Sequence, residues 1–170
     1  MEIYWLLGIP LTGGIFLALW GCRKHAPEIN ALFSLLTLLA AALLTHRIIE
    51  QGPMTVGRGW FFIDSFNVFL VALTAFVAFT TALFSRPYMR IEAEHGKLND
   101  QRLRLYHASY QIFIGAMLLA LTTNNMGILW VAMEAATLAT VLLVSLYRTP
   151  ASLEAAWKYF ILCGVGIALA

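Results

Sequence analysis

The sequence predicts an all-α, polytopic transmembrane helix bundle of about six helices. Three observations carry this. Of the 170 residues, 61% are apolar by a count that omits the 12 glycines, against roughly 45–50% for a soluble domain with glycine included. Only 12% are charged, about half the roughly 25% of a typical globular chain. Mean hydropathy is +0.78, and the apolar residues fall in runs near the roughly 20 residues a helix needs to cross a bilayer core about 30 Å thick. A soluble domain of this size buries only about two-thirds of its surface, too little to hide so many apolar side chains. Disorder is excluded for the opposite reason, because disordered chains are poor in hydrophobes.

Five runs qualify as spans, at about residues 3–21, 29–49, 66–84, 106–123 and 126–147, and a sixth covers about 153–170. The first lacks the basic start of a signal peptide. It opens Met1-Glu2, and its basic pair Arg23-Lys24 follows the apolar run, so it reads as a retained helix. Pro27, Gly52-Pro53 and Thr149-Pro150 break the pattern at connections. Asn124-Asn125 leaves room only for a tight turn between helices four and five. The stretch 55–64, with Trp60-Phe61-Phe62-Ile63, is too short to span and predicts a small hairpin or an interfacial segment. Asp64 then reads as the N-cap of helix three. Trp5, Trp20, Trp60, Tyr106 and Trp157 fall near predicted boundaries, as an aromatic belt requires. The hydrophilic stretch 86–104 mixes Glu92, Glu94, His95 and Asp100 with basic residues, and it reads as a solvated connector.

Lys and Arg in short loops set orientation. Loops one, three and five hold eight of them: Arg23, Lys24, Arg86, Arg90, Lys97, Arg102, Arg104 and Arg148. Loops two and four hold two, Arg47 and Arg58. The N-terminus is therefore expected outside. The formal charge is only +2, with no basic face, so nucleic acid is not an expected partner. Cys22 and Cys163 are too few for a disulfide framework or a zinc site. No stretch suggests a metal or cofactor site or a catalytic centre.

The informative residues are ionisable groups inside the apolar runs, which usually mark an ion pathway or a buried partner. Glu134 lies eight residues into helix five, about 12 Å deep and close to the bilayer centre. Thr137, Val141 and Ser145 share its face, and Ala135, Ala136 and Ala139 allow close helix packing. A carboxyl whose surroundings balance burial against a nearby cation can load and release a proton. The bland alternative is a protonated acid donating one interhelical hydrogen bond. Lys158 lies about six residues into helix six, roughly 9 Å deep, with Glu154 four residues before it. A lysine near a helix end also snorkels without further role. The two depths differ by about 9 Å, so polar groups or water must bridge them. His107, read at the opening of helix four beside Tyr106 and Tyr110, is a third candidate at the end of a proton route. An interfacial histidine is the plainer reading, so His107 is the weakest of the three. His46 and Arg47 read as snorkelling at the end of helix two.

The run Thr123-Asn-Asn-Met-Gly-Ile-Leu-Trp-Val-Ala-Met-Glu-Ala-Ala-Thr-Leu, followed by Ala151-Ser-Leu-Glu-Ala-Ala-Trp-Lys-Tyr-Phe-Ile-Leu-Cys, resembles the antiporter-like, proton-translocating subunits of respiratory complex I and its relatives. Within that group it is most similar to hydrogenase-4 component F-like membrane subunits, of the formate hydrogenlyase type. Tyr88-Met-Arg-Ile-Glu-Ala-Glu-His-Gly-Lys-Leu and Asp64-Ser-Phe-Asn-Val-Phe agree with this, while residues 1–59 match only in pattern. The resemblance implies the N-terminal part of a longer bundle with two inverted five-helix repeats. Residues 1–125 are then the N-terminal helices 1–4 with the hairpin. Residues 126–170 start the proton-translocating domain. The family's helix-five glutamate falls on Glu134, and its helix-six lysine on Lys158.

The resemblance further implies a multi-pass subunit of a bacterial or archaeal inner membrane, with its N-terminus outside. It would bind no redox centre or other cofactor, and would move protons driven by electron transfer in attached hydrophilic subunits. Other membrane and hydrophilic subunits and the lipid bilayer are the partners implied. The chain stops at Ala170 inside an apolar helix, before the family's lysine-bearing broken helix, so a fragment of a longer product is expected. Two rivals share the sequence features: a subunit of a multisubunit cation/proton antiporter, and a purely structural membrane subunit.

Overall fold

The computed structural model describes residues 2–20, 25–96 and 98–169. Cys22, Arg23, Lys24 and Lys97, which entered the sequence reading, lie outside the described residues. Six helices follow in order: α1 (Glu2–Trp20), α2 (Ala26–Gln51), α3 (Ser65–Glu94), α4 (Asp100–Thr122), α5 (Met126–Val144) and α6 (Pro150–Leu169). An antiparallel pair, β1 (Met54–Val56) and β2 (Phe61–Ile63), lies between α2 and α3. A 3-10 turn, Ser145–Tyr147, precedes α6. Among the described residues, six helices are long and apolar enough to cross a membrane. The chain is thus an all-α bundle and a multi-pass membrane protein.

The helix starts follow local chemistry. The Asp64 carboxylate accepts from the N–H groups of Phe66 at 3.0 Å and Asn67 at 2.8 Å, capping α3 as expected. At α5 the Asn125 Oδ1 accepts from the Ile128 N–H at 3.1 Å, and at α4 the Asn99 Oδ1 accepts from the adjacent Asp100 N–H at 2.8 Å. Pro150 occupies the first position of α6, where its missing N–H costs nothing. The hairpin forms because Gly57, Arg58 and Gly59 take φ values of +66°, +58° and +92°, two of them at residues without a Cβ. It is docked onto the α4–α5 turn. Phe61 bridges to Thr123, the Asn124 N–H donates to Trp60 O at 2.8 Å, and Asn124 Nδ2 donates to Gly59 O at 3.1 Å.

The main core joins α1, α2, the hairpin, α3 and α4, around Leu6, Leu44, Ile48, Ile63, Val71 and Leu118. Small residues set the approach of α1. A Cβ at Gly13 would stand 2.8 Å from Phe33 Cγ of α2, and one at Gly14 would stand 3.0 Å from Ile112 of α4. Tyr110 Oη donates to Ala78 O at 2.6 Å, tying α4 to α3. Ala132, Ala136 and Ala139 are buried on α5, which packs closely on α4. Helix α6 rests on α5 and the 3-10 turn, and Ala156 is its buried residue. Each end of the bundle carries an ion pair: Arg47 with Glu2 at one, and Arg86 and Arg90 with Glu28 at the other.

The stretch 86–104 departs from the sequence reading. It is largely helix, not a connecting loop: α3 runs through Pro87 to Glu94, and α4 already begins at Asp100. Helix continues because this segment is amphipathic. Met89, Ala93, Leu98 and Leu103 gather with Leu146 in a second apolar cluster, while Arg86 and Arg90 reach Glu28. At 30 residues α3 is about 45 Å long, well beyond a hydrocarbon core of about 30 Å.

Candidate functional site

Glu134 stands eight residues after the start of α5 and is half-buried. Among the described residues it makes no hydrogen bond or ion pair. Two contacts fix how α5 lies along α6. Trp130 Nε1 donates to Ile167 O at 3.3 Å, and Thr140 Oγ1 lies 3.0 Å from Tyr159 Oη. Between these rungs Glu134 comes level with about Cys163 and Gly164. Lys158 comes level with about Thr140. The two are therefore offset by about six residues, or roughly 9 Å along the seam. Val141 and Ser145, on the helical face of Glu134, line a groove of about 300 Å³ with Leu138, Leu153, Ala156, Trp157 and Phe160.

Lys158 Nζ donates to Glu154 Oε1 at 2.5 Å, the i,i+4 pair that the spacing predicts. Both side chains are exposed, at 70% and 66%. The lysine sits eight residues into α6 instead of six, because the helix opens at Pro150 and not at Leu153. The chain does not bring Glu134 and Lys158 into contact. The hydroxyls of Thr137, Thr140 and Tyr159 lie between their levels or beside them.

His107 requires a correction. It does not open helix four, which begins at Asp100. It lies seven residues into α4 with no exposed surface. The hydropathy of the run understated the helix, since its first turns are polar outside and carry buried Leu103 inside. His107 lies one helical turn before Gln111, which belongs to a polar group between α2 and α4 that the sequence reading missed. Gln111 Nε2 donates to Asn30 O at 3.0 Å, Asn30 Oδ1 at 2.9 Å and Ser34 Oγ at 3.1 Å. All four residues are essentially fully buried. Among the described residues, both ring nitrogens of His107, Gln111 Oε1 and Asn30 Nδ2 have no hydrogen-bond partner. Such groups cost about 1–3 kcal/mol each when left unsatisfied. The signal was present in the sequence: Asn30 and Ser34 are four apart, as are His107 and Gln111, so each pair shares a helical face inside an apolar run.

Because α4 and α5 run antiparallel from the Asn124-Asn125 turn, His107 and Glu134 are also about seven residues, or roughly 10 Å, apart along the axis. The α5 and α6 candidates and the α2–α4 group are thus two separate polar places. Among the described residues no three His, Cys, Asp or Glu side chains cluster as a metal site would.

Taken together, the molecule is a multi-pass membrane helix bundle with ionisable residues set within its spans. It is similar to the Hydrogenase-4 component F homolog of Methylacidiphilum infernorum (isolate V4), with 44% identity over 161 residues. The match covers 95% of this chain and 33% of that protein, so the chain spans about a third of its relative's length. The chain is therefore a homologue of a hydrogenase-4 component F-like protein, as the resemblance in its helix-five and helix-six motifs implied. No protein-family model matches it.

Proposed function

We propose that this chain is part of a membrane subunit of a hydrogenase-4 or formate hydrogenlyase type complex, or of an NADH–quinone oxidoreductase-like one. The subunit couples electron transfer in attached subunits to proton translocation, and holds no redox centre of its own in these residues. Its membrane is a bacterial or archaeal inner membrane, with the N-terminus outside, a reading supported by the eight-to-two bias of Lys and Arg between odd and even loops. Residues 1–125 form the supporting helices, and 126–170 begin the proton-translocating part. The gathering of the main core in α1–α4 and the hairpin, with α6 resting on α5, supports that division.

The observation that carries the reading is Glu134: a carboxyl deep in an apolar span, half-buried, with no partner among the described residues. A group so placed is free to change protonation state without breaking a hydrogen bond. In this reading Glu134 accepts a proton and passes it along the α5–α6 seam. The hydroxyls of Thr140 and Tyr159, with water, bridge the roughly 9 Å to the level of Lys158. Lys158, held as an ammonium by Glu154, first gives its proton onward; the neutral amine then leaves Glu154 to accept the proton released along the seam, and the new ammonium returns to Glu154. His107 lies on α4, outside the α5–α6 seam, and is given no step in this relay.

The test is proton uptake by membrane vesicles carrying the full-length subunit in its complex. Glu134→Gln abolishes electron-driven uptake while the complex stays assembled, and unchanged uptake refutes the relay. Sodium-dependent proton flux without any electron donor would favour the cation/proton antiporter instead. Assembly and uptake that both tolerate neutralising Glu134 and Lys158 together would leave a structural subunit.

A further inference from the structure

The polar group between α2 and α4 has no role in the reading above, yet it is the most unusual feature of the bundle's interior. Four polar side chains meet where apolar packing was available. Four of their hydrogen-bonding atoms find no protein partner among the described residues. Reorienting the amides does not relieve this. Exchanging N and O of Gln111 would turn its oxygen onto the Asn30 carbonyl and Oδ1, both acceptors. Exchanging those of Asn30 would oppose two NH₂ groups. The unpartnered atoms are complementary as a set. Asn30 Nδ2 is a donor and Gln111 Oε1 an acceptor, and a neutral imidazole offers one of each. The two ring nitrogens point to opposite sides of the imidazole, so at least two water molecules, each able to donate twice and accept twice, are needed to serve the set.

We propose that α2 and α4 enclose a water-binding site formed by His107, Gln111 and Asn30, open toward the end of the bundle where Glu28 meets Arg86 and Arg90. The direction of access follows from what borders the site. Toward Glu28 the buried polar surface continues: Glu28 Oε2 and Arg86 Nε are also buried without partners among the described residues, and Glu28 is the charged group whose field reaches His107. In the other direction Thr37 ends the polar track, with its hydroxyl donating to Phe33 O at 2.9 Å. Beyond it the facing surfaces are Ala41, Leu44, Ile48, Ile114 and Leu118, all buried. Water therefore enters from one end and stops halfway. The site hydrates the interior from one side and does not cross the membrane. Holding these waters is less costly than leaving four buried groups unsatisfied, since water-mediated bonds are nearly as favourable as direct ones.

Deuterium exchange at the imidazole Cε1 tests this in the unaltered full-length protein in lipid, because exchange of that carbon needs water at the ring. Peptides are read by mass spectrometry after days in D₂O. His46, whose side chain is 70% exposed, is the internal reference. The expected result is uptake at His107 on the time course of His46, while the backbone amides of 105–112 stay protected. Loss of uptake at His107 alone shows a dry site and overturns the proposal. Uptake at the ring together with the α4 amides shows that the helix opens, and overturns it equally. Neither outcome depends on Glu134 or on proton translocation.

Discussion

Replacing Gln111 with leucine measures how far the α2–α4 contact depends on polarity. Leucine approximates the volume but deletes the three bonds that Nε2 makes to Asn30 O, Asn30 Oδ1 and Ser34 Oγ. Interhelical hydrogen bonds in membranes average about 0.6 kcal/mol, so three of them set a loss of about 2 kcal/mol. The Ser34 hydroxyl can turn to a carbonyl of its own helix, but Asn30 Oδ1 stays fully buried and loses its donor, which raises the loss toward about 3 kcal/mol. The unfolding equilibrium should shift by about thirtyfold to about 140-fold. The assay is SDS-driven unfolding of the full-length subunit from mild detergent, followed by circular dichroism or pulse proteolysis. Asn30→Ala on its own and in combination completes a double-mutant cycle. A shift below about 0.5 kcal/mol would place Gln111 among ordinary surface positions and refute the argument. So would additivity of the two substitutions within about 0.3–0.5 kcal/mol, because residues in one network are coupled.

Three further outcomes are expected. Asp64→Ala removes the acceptor of two helix-start N–H groups and should lower stability by about 1 kcal/mol in the same unfolding assay. Gly13→Ala sets a methyl 2.8 Å from Phe33 Cγ and should destabilise by about 1–3 kcal/mol, with Phe33→Ala relieving part of it; independent effects would contradict the packing. In a cysteine-free background, Arg58→Cys should react with an impermeant maleimide from the outer face, and Glu94→Cys from the cytoplasmic face. Both positions are exposed, and the reverse labelling would invert the proposed orientation.

The spans, the hairpin at 54–63 and the Asp64 cap were legible because each rests on a local rule: run length, turn glycines, a carboxylate before a helix. The continuation of α3 through Pro87 was not, since its support comes from Leu98, Leu103 and Leu146, which reach Met89 and Ala93 only after the chain has folded back. Glu134 and Lys158 stood out as charges in apolar runs, and the roughly 9 Å between their levels followed from counting residues. Gln111 and Asn30 did not stand out. Being uncharged, they hardly alter hydropathy, and their meaning lies in facing each other across two helices 81 positions apart. His107 was misplaced for a related reason: its burial comes from the helices packed around α4, which no window along α4 contains.

The docking of the hairpin has a consequence for biogenesis. The Gly59 carbonyl waits for a side chain 65 positions later in the chain, and the Trp60 carbonyl for the N–H of the same residue, Asn124. Until the fourth helix has crossed and delivered Thr123 and Asn124, β2 presents an open edge at the membrane surface. The first three helices can therefore be inserted but not latched. Emergence of the α4–α5 turn is the event that closes the seam beside the hairpin, so a ribosome stalled before Thr123 should leave the hairpin open to protease and one stalled well after it should not.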